Sequence, residues 1–371
     1  MVTPTPEQLR ELFLSRPAMV APHGEVANFI NPPSIQSKAL GVVISVFLLT
    51  TLAVGIRLYT KLVVVKRLAL DDYVLIVGYL IYGAGYQAVN YIMVDMNGVG
   101  EHQWNIIVRD LIPFLYYMQM GNTIYGIVIL AIKVAILIQC LHVLVPDGVH
   151  TAAFWVFHFL LWSHVLFYVI CTFVEIFMCN PRAKIWDPTI TTGHCMNSKA
   201  VNIAAAAVNA GSDFILVIIP QLIIWRLNMS TSKKWAVGSV FLVGLLACAA
   251  ATVRMYFSIG LLHNKDFTWA ATLMGLWVEV EIGCGFLVAC MPVFPRFFRH
   301  QPIFSTLGSG LRSLLRRDRG SAKYSSERLG SSDGSRQKKN PIVTDVEFEE
   351  LVRRSDLGMV TVDHPGPGPR S

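Results

Sequence analysis

Charged residues are scarce in this chain, and their scarcity excludes an ordinary soluble protein. Asp, Glu, Lys and Arg make up 15% of the 371 residues, whereas soluble domains carry about 25%. The deficit falls in long apolar segments, and 54% of all residues are hydrophobic. This distribution predicts an integral membrane protein whose main partner is the lipid bilayer.

Motifs of catalysis and of nucleic-acid binding are missing as well. The sequence contains neither an H-E-x-x-H zinc motif nor a Walker A phosphate loop, and no base-reading module is recognisable. Its net charge of +7 comes mostly from residues after Pro295, a basic segment that suits anionic lipid beside a membrane. We therefore expect no enzyme activity, no metal or other cofactor, and no nucleic-acid partner.

Seven segments are long and apolar enough to cross a bilayer as helices, for which about 20 residues suffice. They cover residues 39–59, 73–94, 111–143, 152–177, 200–227, 235–262 and 268–294. We therefore predict an all-α membrane protein, with a seven-transmembrane helix bundle at residues 39–297. Residues 1–38 are polar and proline-rich and form a short outer segment. Residues 298–371, rich in Ser, Gly, Lys and Arg, form a cytoplasmic and largely disordered tail.

Basic residues in the short loops indicate the orientation of the bundle. Lys61, Lys66 and Arg67 follow the first span, and Lys233 and Lys234 follow the fifth. Cytoplasmic loops carry such an excess of Lys and Arg. We therefore expect a multi-pass protein with its N-terminus outside and its C-terminus in the cytoplasm, in the plasma membrane rather than an endomembrane.

Two of the seven cysteines lie in a polar loop. Cys179 and Cys195 are separated from the apolar segments, whereas the other five cysteines lie inside those segments, where thiols act as packing groups. In the predicted orientation this loop faces the oxidising side of the membrane, where a disulfide persists. Cys179 and Cys195 are therefore the candidate disulfide pair.

Ionisable residues inside the predicted spans are costly in lipid and mark candidate functional positions. Besides Glu175 near the outer end of the fourth span, they are Lys133 in the third, Asp213 in the fifth, Arg254 in the sixth, and Glu279 and Glu281 in the seventh. A helical rise of about 1.5 Å per residue places the three carboxylates of the fifth and seventh spans at a similar depth and Arg254 nearer the outside.

The same residues admit two interpretations. Glu279 and Glu281 are two positions apart, about 200° around a helix, so they face different neighbours. Arg254 is the favoured partner of a carboxylate, because its planar fork suits bidentate pairing. The charges then form either an interhelical clamp that stabilises packing or a pathway for a ligand or proton.

Short motifs follow one another in a characteristic order along the spans and outer loops. They are Asp71-Asp72-Tyr73, Gly98-Val99-Gly100-Glu101-His102 with Trp104, Cys179-Asn180-Pro181, Gly193-His194-Cys195, Asp213-Phe214, Val253-Arg254, Thr268-Trp269, and Trp277 with Glu279. In this order and spacing they resemble the fungal rhodopsin-domain integral membrane proteins, some of which are described as receptor-like sensors. The resemblance covers about residues 39–297 and implies a seven-helix bundle and a Cys179–Cys195 bridge.

The resemblance does not extend to light absorption by retinal. A retinal Schiff base needs a lysine in the last span, and residues 268–294 contain none. Lys133 lies in the third span, the wrong helix for that chemistry. The Asp-Arg-Tyr and Asn-Pro-x-x-Tyr motifs are also absent from the ends of the third and seventh spans, where Leu141-His142-Val143 and Met291-Pro292-Val293-Phe294 stand instead.

These observations predict a receptor-like membrane protein that senses an extracellular small molecule or surface cue. A cytoplasmic signalling partner would contact its inner loops and tail. The candidate residues for the ligand or polar network are Asp213, Arg254, Glu279, Glu281, Lys133 and Trp277. Two alternatives stay open, namely a proton-coupled transporter and a membrane protein that acts on a lipid or secondary metabolite.

Overall fold

The computed structural model describes residues 5–145, 151–225, 231–261 and 266–300, and most of them are helical. The helices are α1 (Pro6–Leu14), α2 (Gln36–Tyr59), α3 (Leu70–Ile81), α4 (Gln87–Val94), α5 (Val108–Leu144), α6 (Ala152–Ile176), α7 (Ser198–Trp225), α8 (Thr231–Gly260), α9 (Phe267–Cys290) and α10 (Phe294–His300). A two-stranded antiparallel ribbon, β1 (Cys179–Asn180) and β2 (His194–Cys195), lies between α6 and α7. The predicted disordered tail falls, beyond residue 300, outside the described residues.

Six helices among the described residues are long and apolar enough to cross a membrane. They are Gln36–Val65, Val108–Leu144, Ala152–Ile176, Ser198–Ile223, Gly238–Gly260 and Phe267–Phe298. They correspond to six of the seven predicted spans. The remaining one, residues 73–94, folds as α3, a π-helical turn at Tyr82–Tyr86, and α4. Its several tyrosines and its Gln87 and Asn90 make it less apolar, so its crossing of the membrane stays a prediction.

The periphery of the bundle exposes large apolar side chains. Phe159 is 74% exposed, Tyr256 71% and Trp155 65%, and many leucines on the outer faces of the helices are more than half exposed. Soluble monomers rarely present apolar surface on this scale. In the interior, Tyr82 and Phe286 are fully buried. The apolar exterior is the surface expected of helices that face lipid.

Two glycines allow α9 to pack closely against its neighbours. A Cβ added at Gly283 would lie 2.6 Å from Val46 Cγ1 of α2, and one at Gly285 would lie 2.9 Å from Ile132 Cγ2 of α5. Real Cβ atoms are not found so close to a neighbour, so no other residue fits here without a shift. The two glycines lie two and four residues after Glu281, so α9 packs closely against α2 and α5 near this carboxylate.

The loop that precedes α7 is closed by a disulfide. Cys179 and Cys195 are bonded, which confirms the predicted pair, and the Trp186 ring lies 5.2 Å from the Tyr116 ring near the start of α5. The bridge therefore closes the loop between β1 and β2 over this end of the bundle, which we call the disulfide end.

The loop between α4 and α5 joins the same end to α2 and α9. The Ile35 backbone N–H, just before α2, donates to the Gly100 carbonyl at 3.1 Å. The His102 ring stacks on Trp269 with 4.3 Å between ring centroids, and its Nδ1 lies 2.6 Å from Asp266 Oδ2. The starts of α2 and α9 and the end of α4 thus lie together at the disulfide end.

Candidate functional site

A buried ion pair joins α5 to α7. Lys133 Nζ lies 2.7 Å from Asp213 Oδ1, and the Lys133 side chain is 3% exposed. The same ammonium donates to Asn209 Oδ1 at 2.9 Å and to Ser212 Oγ at 2.6 Å. A buried cation is tolerated when a counter-charge and further hydrogen bonds satisfy its donors. These three partners supply one acceptor for each ammonium N–H.

A second ion pair joins α8 to α9. Arg254 Nε donates to Glu281 Oε2 at 3.1 Å, and the guanidinium lies over the Tyr125 ring, 5.0 Å from its centroid. Glu281 Oε1 accepts from the Tyr125 hydroxyl at 2.8 Å and from Asn209 Nδ2 at 2.7 Å. Because Asn209 contacts both Lys133 and Glu281, the two ion pairs form one network across α5, α7, α8 and α9.

Glu279 faces a different set of helices. Its Oε1 accepts from the Tyr82 hydroxyl at 2.6 Å and from Gln87 Nε2, and Asn90 Nδ2 lies 3.5 Å from its Oε2. The residue is 1% exposed. Within the part of the chain that the structure describes, neutral donors surround this carboxylate and no cation pairs with it. Glu279 and Glu281 therefore point in different directions, as their separation along the helix predicts.

The structure brings together most of the residues selected from the sequence. Those in one connected network are Lys133, Asp213, Arg254 and Glu281. Trp277 is half-buried on α9 and does not line the cavity described below. Asn209, which connects the two ion pairs, and Tyr125, which contacts both Glu281 and Arg254, were missed. Neutral polar residues are frequent in membrane helices, so nothing in the sequence separates these two from others of their kind.

A cavity of about 600 Å³ lies between the network and the disulfide end. The helices α2, α4, α5, α7, α8 and α9 all contribute to its wall, which is largely apolar and includes Val89, Phe114, Met118 and Leu276. Small-molecule sites usually occupy about 300–1,000 Å³. The cavity therefore has the size and the apolar wall of a ligand site.

Arg254 forms part of the wall of this cavity. Its Nη2 is buried and has no hydrogen-bond partner among the described residues. A buried donor without an acceptor costs about 1–3 kcal/mol. At the other extreme of the cavity, the exposed side chain of Lys199 lies at the start of α7. A ligand acceptor that reached Arg254 would recover the cost of the unpaired donor.

A second ionic cluster lies at the end of the bundle away from the disulfide, which we call the opposite end. Arg57 Nη2 lies 2.6 Å from Asp71 Oδ2 and 2.6 Å from Asp72 Oδ1, and Nη1 donates to the Ala289 carbonyl of α9. Lys61 Nζ lies 3.0 Å from Asp72 Oδ2. Arg57 lies at the end of the first predicted span, where charged residues usually face water, and it was not among the candidate site residues. The neighbouring Asp71-Asp72 pair was the available signal.

Comparison with known proteins places the chain in a group of fungal membrane proteins. Residues 56–300 match the model of the Fungal rhodopsin domain. A SAT4 family membrane protein of Emericella nidulans is 32% identical over 277 residues, which cover 72% of this chain and 69% of the relative. Fugralins biosynthesis cluster protein 2 of Gibberella zeae is 30% identical over 300 residues, 79% of this chain and 73% of the relative.

A more distant relative carries the name of a receptor. Receptor GIN3 of Arthrobotrys oligospora is 21% identical over 270 residues, which cover 71% of this chain and 64% of that protein. No solved structure matches this chain.

Proposed function

Because this chain belongs to the fungal rhodopsin-domain family, we propose that it is a receptor-like membrane protein that binds an extracellular small molecule between its helices. The observation that carries the proposal is the cavity of about 600 Å³, whose wall includes Arg254. The distant relative named Receptor GIN3 supports a receptor-like role. The relative named for fugralins biosynthesis makes a secondary metabolite a reasonable class of ligand.

The buried network supplies a route from the cavity to the opposite end. A ligand in contact with Arg254 changes the environment of Glu281 on α9, and the Ala289 carbonyl of the same helix accepts from Arg57. These two α9 positions are eight residues apart, about 12 Å along the helix. A small displacement of α9 would therefore change the hydrogen bond between Ala289 and the Arg57 cluster. Ligand binding would shift the population of two arrangements of these ion pairs.

The contacts at both ends of α3 and α4 support a seventh crossing of the membrane. At the start of α3, Asp72 pairs with Arg57 near the end of α2. At the end of α4, the Val94 carbonyl accepts from Gln36 Nε2 at the start of α2. The segment Leu70–Val94 therefore runs antiparallel to α2 along its whole length. Its 25 residues span about 37 Å as a helix, enough to cross a bilayer.

We propose that the protein lies in the plasma membrane, with the disulfide end outside the cell and the opposite end in the cytoplasm. Lys61, Lys66 and Arg67 follow α2 at the opposite end, as expected of a cytoplasmic loop. The Cys179–Cys195 bridge belongs on the oxidising side. In this orientation the cavity opens to the outside of the cell. The cytoplasmic loops and the tail are then accessible to a signalling partner.

The orientation is tested in intact cells with a membrane-impermeant maleimide added after a membrane-impermeant reductant. We expect labelling that depends on reduction and is lost in a Cys179→Ser, Cys195→Ser double variant. The double variant is the matched control, because its five remaining cysteines lie in helices of the bundle. Labelling only after the membrane is permeabilised would reverse the orientation.

The cavity is tested by a thermal-shift screen of secondary metabolites on the purified chain in nanodiscs. A ligand at 100 times its Kd stabilises the protein by about 2.7 kcal/mol. We expect hits on the wild type to fail on a Gly275→Phe variant, because Gly275 lines the cavity and has no atom within 4 Å of an added Cβ. Gly55→Phe on the exposed side of α2 is the matched control and should respond like the wild type.

Variants of the polar network and of the neighbouring Glu279 test the transmission step. Asp213→Asn and Glu279→Gln keep the shape of each side chain but remove its charge. We expect both to change the size of the ligand-dependent shift. If every compound class acts equally on the wild type and on all of these variants, the proposed role of the cavity and its network is wrong.

A proton-coupled carrier is the second candidate, and Glu279 is the observation that favours it. This carboxylate is 1% exposed, is surrounded by neutral donors, and adjoins Asn90, which lines the cavity. Buried acids in membrane helices often mark proton relays. A carrier would acidify the lumen of proteoliposomes when substrate is added, and Glu279→Gln would abolish this effect. A receptor would bind the same compound without proton movement.

A further inference from the structure

We infer that the cavity binds an organic molecule with an apolar body and a carboxylate group, and that this carboxylate accepts a hydrogen bond from Arg254 Nη2. This inference rests on the proposed function and names the class of ligand. The cavity has two cations in its wall, Arg254 and Lys199, and no carboxylate among its described lining residues. Its remaining wall is mostly apolar, with Tyr, Ser, Thr and Asn side chains among the lining residues. An amphipathic anion matches both halves of this surface.

The hydrogen bonds of Arg254 explain why the docking group is an anion. Its Nε is occupied by Glu281, whereas Nη2 is buried and has no partner among the described residues. Glu281 shares its own charge among three donors, because Tyr125 and Asn209 also bond to it. A second carboxylate therefore meets a guanidinium that is only partly neutralised. Hydrogen bonds between ionised groups are the strong ones, and the guanidinium fork suits a carboxylate.

Lys199 marks the entry of the ligand. It is exposed at the start of α7, ten residues before Asn209, and this separation is about 15 Å along a helix. Met118 and Leu276 contribute to the wall of the same cavity. An anion would be attracted to Lys199 first and would then move to Arg254, while its apolar body fills the cavity. Exposed charges of this kind change association rates more than affinity.

The experiment compares three head groups on each of two apolar bodies. The probes are decanoic acid, decanamide and decylamine, and 4-phenylbutyric acid with its amide and its amine. Binding is measured with the full chain in phosphatidylcholine nanodiscs, by thermal shift and by titration. We expect the two acids to stabilise the protein and the matched amides and amines to bind at least 10-fold more weakly, because an ionic hydrogen bond is lost.

Variants assign the effect to Arg254. Arg254→Gln combined with Glu281→Gln removes both charges of the pair, so it avoids a lone buried carboxylate and should weaken acid binding about 10- to 100-fold. Glu281→Gln alone leaves the guanidinium without its internal counter-charge and should strengthen acid binding, an effect that a purely structural role would not produce. Lys199→Gln should slow association about 2- to 5-fold, with an effect that disappears at high salt.

The outcomes separate this inference from the proposed function. If the amides or amines bind as well as the acids, and Gly275→Phe abolishes their binding, the cavity is a ligand site but the inference of an anion is wrong. If neither acid binds, the inference is overturned, whereas the screen of secondary metabolites still tests the cavity. Phosphatidylglycerol in the nanodiscs is the competing source of the anion. If this lipid stabilises the wild type but not the Arg254→Gln, Glu281→Gln variant, and the acids have no such effect, the anion is a lipid head group and the inference fails.

Discussion

Arg57 of α2 and Asp71 of α3 are held 2.6 Å apart, and each side chain is 4% exposed. Asp72 contacts the same guanidinium, and Arg57 also donates to the Ala289 carbonyl of α9. One cation thus ties three helices together at the opposite end. In the proposed orientation this cluster lies beside the cytoplasmic loops, where a signalling partner would detect its rearrangement.

Removal of the Arg57 charge should destabilise the protein strongly. Arg57→Met leaves two buried carboxylates beside one lysine, and loss of one partner of a buried ion pair costs about 3–5 kcal/mol. Arg57→Lys should cost less, because it keeps the charge but loses the fork that reaches both aspartates. Thermal unfolding in detergent measures both variants. Arg10→Met, at an exposed position of α1, is the control and should change little; equal midpoints for Arg57→Met and Arg10→Met would contradict this role.

Lys133 and Asp213 should show strong coupling in a double-mutant cycle. Lys133→Met leaves Asp213 buried without its counter-charge and should cost about 3–5 kcal/mol. Adding Asp213→Asn removes the unpaired charge, so the double variant should recover more than about 1 kcal/mol of that loss. Lys133→Met combined with the remote Gly55→Ala should instead be additive. Additive effects of Lys133→Met and Asp213→Asn would show that the pair contributes nothing to folding stability.

Gly283 should not accept even a methyl group. An alanine Cβ there would lie 2.6 Å from Val46 Cγ1, and overpacking of this kind costs about 1–3 kcal/mol. We expect Gly283→Ala to lower the melting temperature of the protein in detergent. Gly55→Ala meets no atom within 4 Å and should leave the melting temperature unchanged or raise it, because alanine favours helix. A rise for Gly283→Ala would mean that α2 and α9 are not packed this closely.

Glu101, in the loop between α4 and α5, should make stability depend on pH. Burial raises the pKa of its carboxyl above the ordinary value of 4.5, against the opposing effect of the hydrogen bond from the Gly98 N–H. The folded state then holds the proton more tightly than the unfolded state. The resulting stabilisation is present at low pH and is lost as pH rises from about 4.5 through the folded pKa.

The test of this pH dependence is the melting temperature of Glu101→Gln relative to the wild type. The variant cannot ionise, so its advantage over the wild type should grow across that window and then stay constant. Glu25→Gln, at an exposed position of the N-terminal segment, should follow the wild type at every pH. A constant difference between Glu101→Gln and wild type from pH 4 to pH 7 would rule out a raised pKa of the half-buried Glu101 carboxyl.

Helix positions and the disulfide could be predicted from the sequence alone. Six of the predicted spans begin and end within a few residues of helices such as α6, predicted at residues 152–177 and found at Ala152–Ile176. The disulfide followed from the only two cysteines in a polar loop, and it is present. Both predictions depend on properties that can be summed along a short stretch of chain. The free energy gained when about 20 apolar residues are buried in lipid outweighs the other contributions to the placement of such a segment.

Partners across the bundle were decided by the tertiary structure. The sequence marked Lys133, Asp213, Arg254 and Glu281 as costly charges, but it did not pair Lys133 with Asp213 or place Arg57 between two aspartates. Each pairing depends on the rotation of every helix about its axis and on which helices are neighbours. Those depend in turn on packing contacts between residues far apart in the chain, such as Gly283 with Val46. The cavity arises in the same way, because it is space left between six helices and belongs to no single segment.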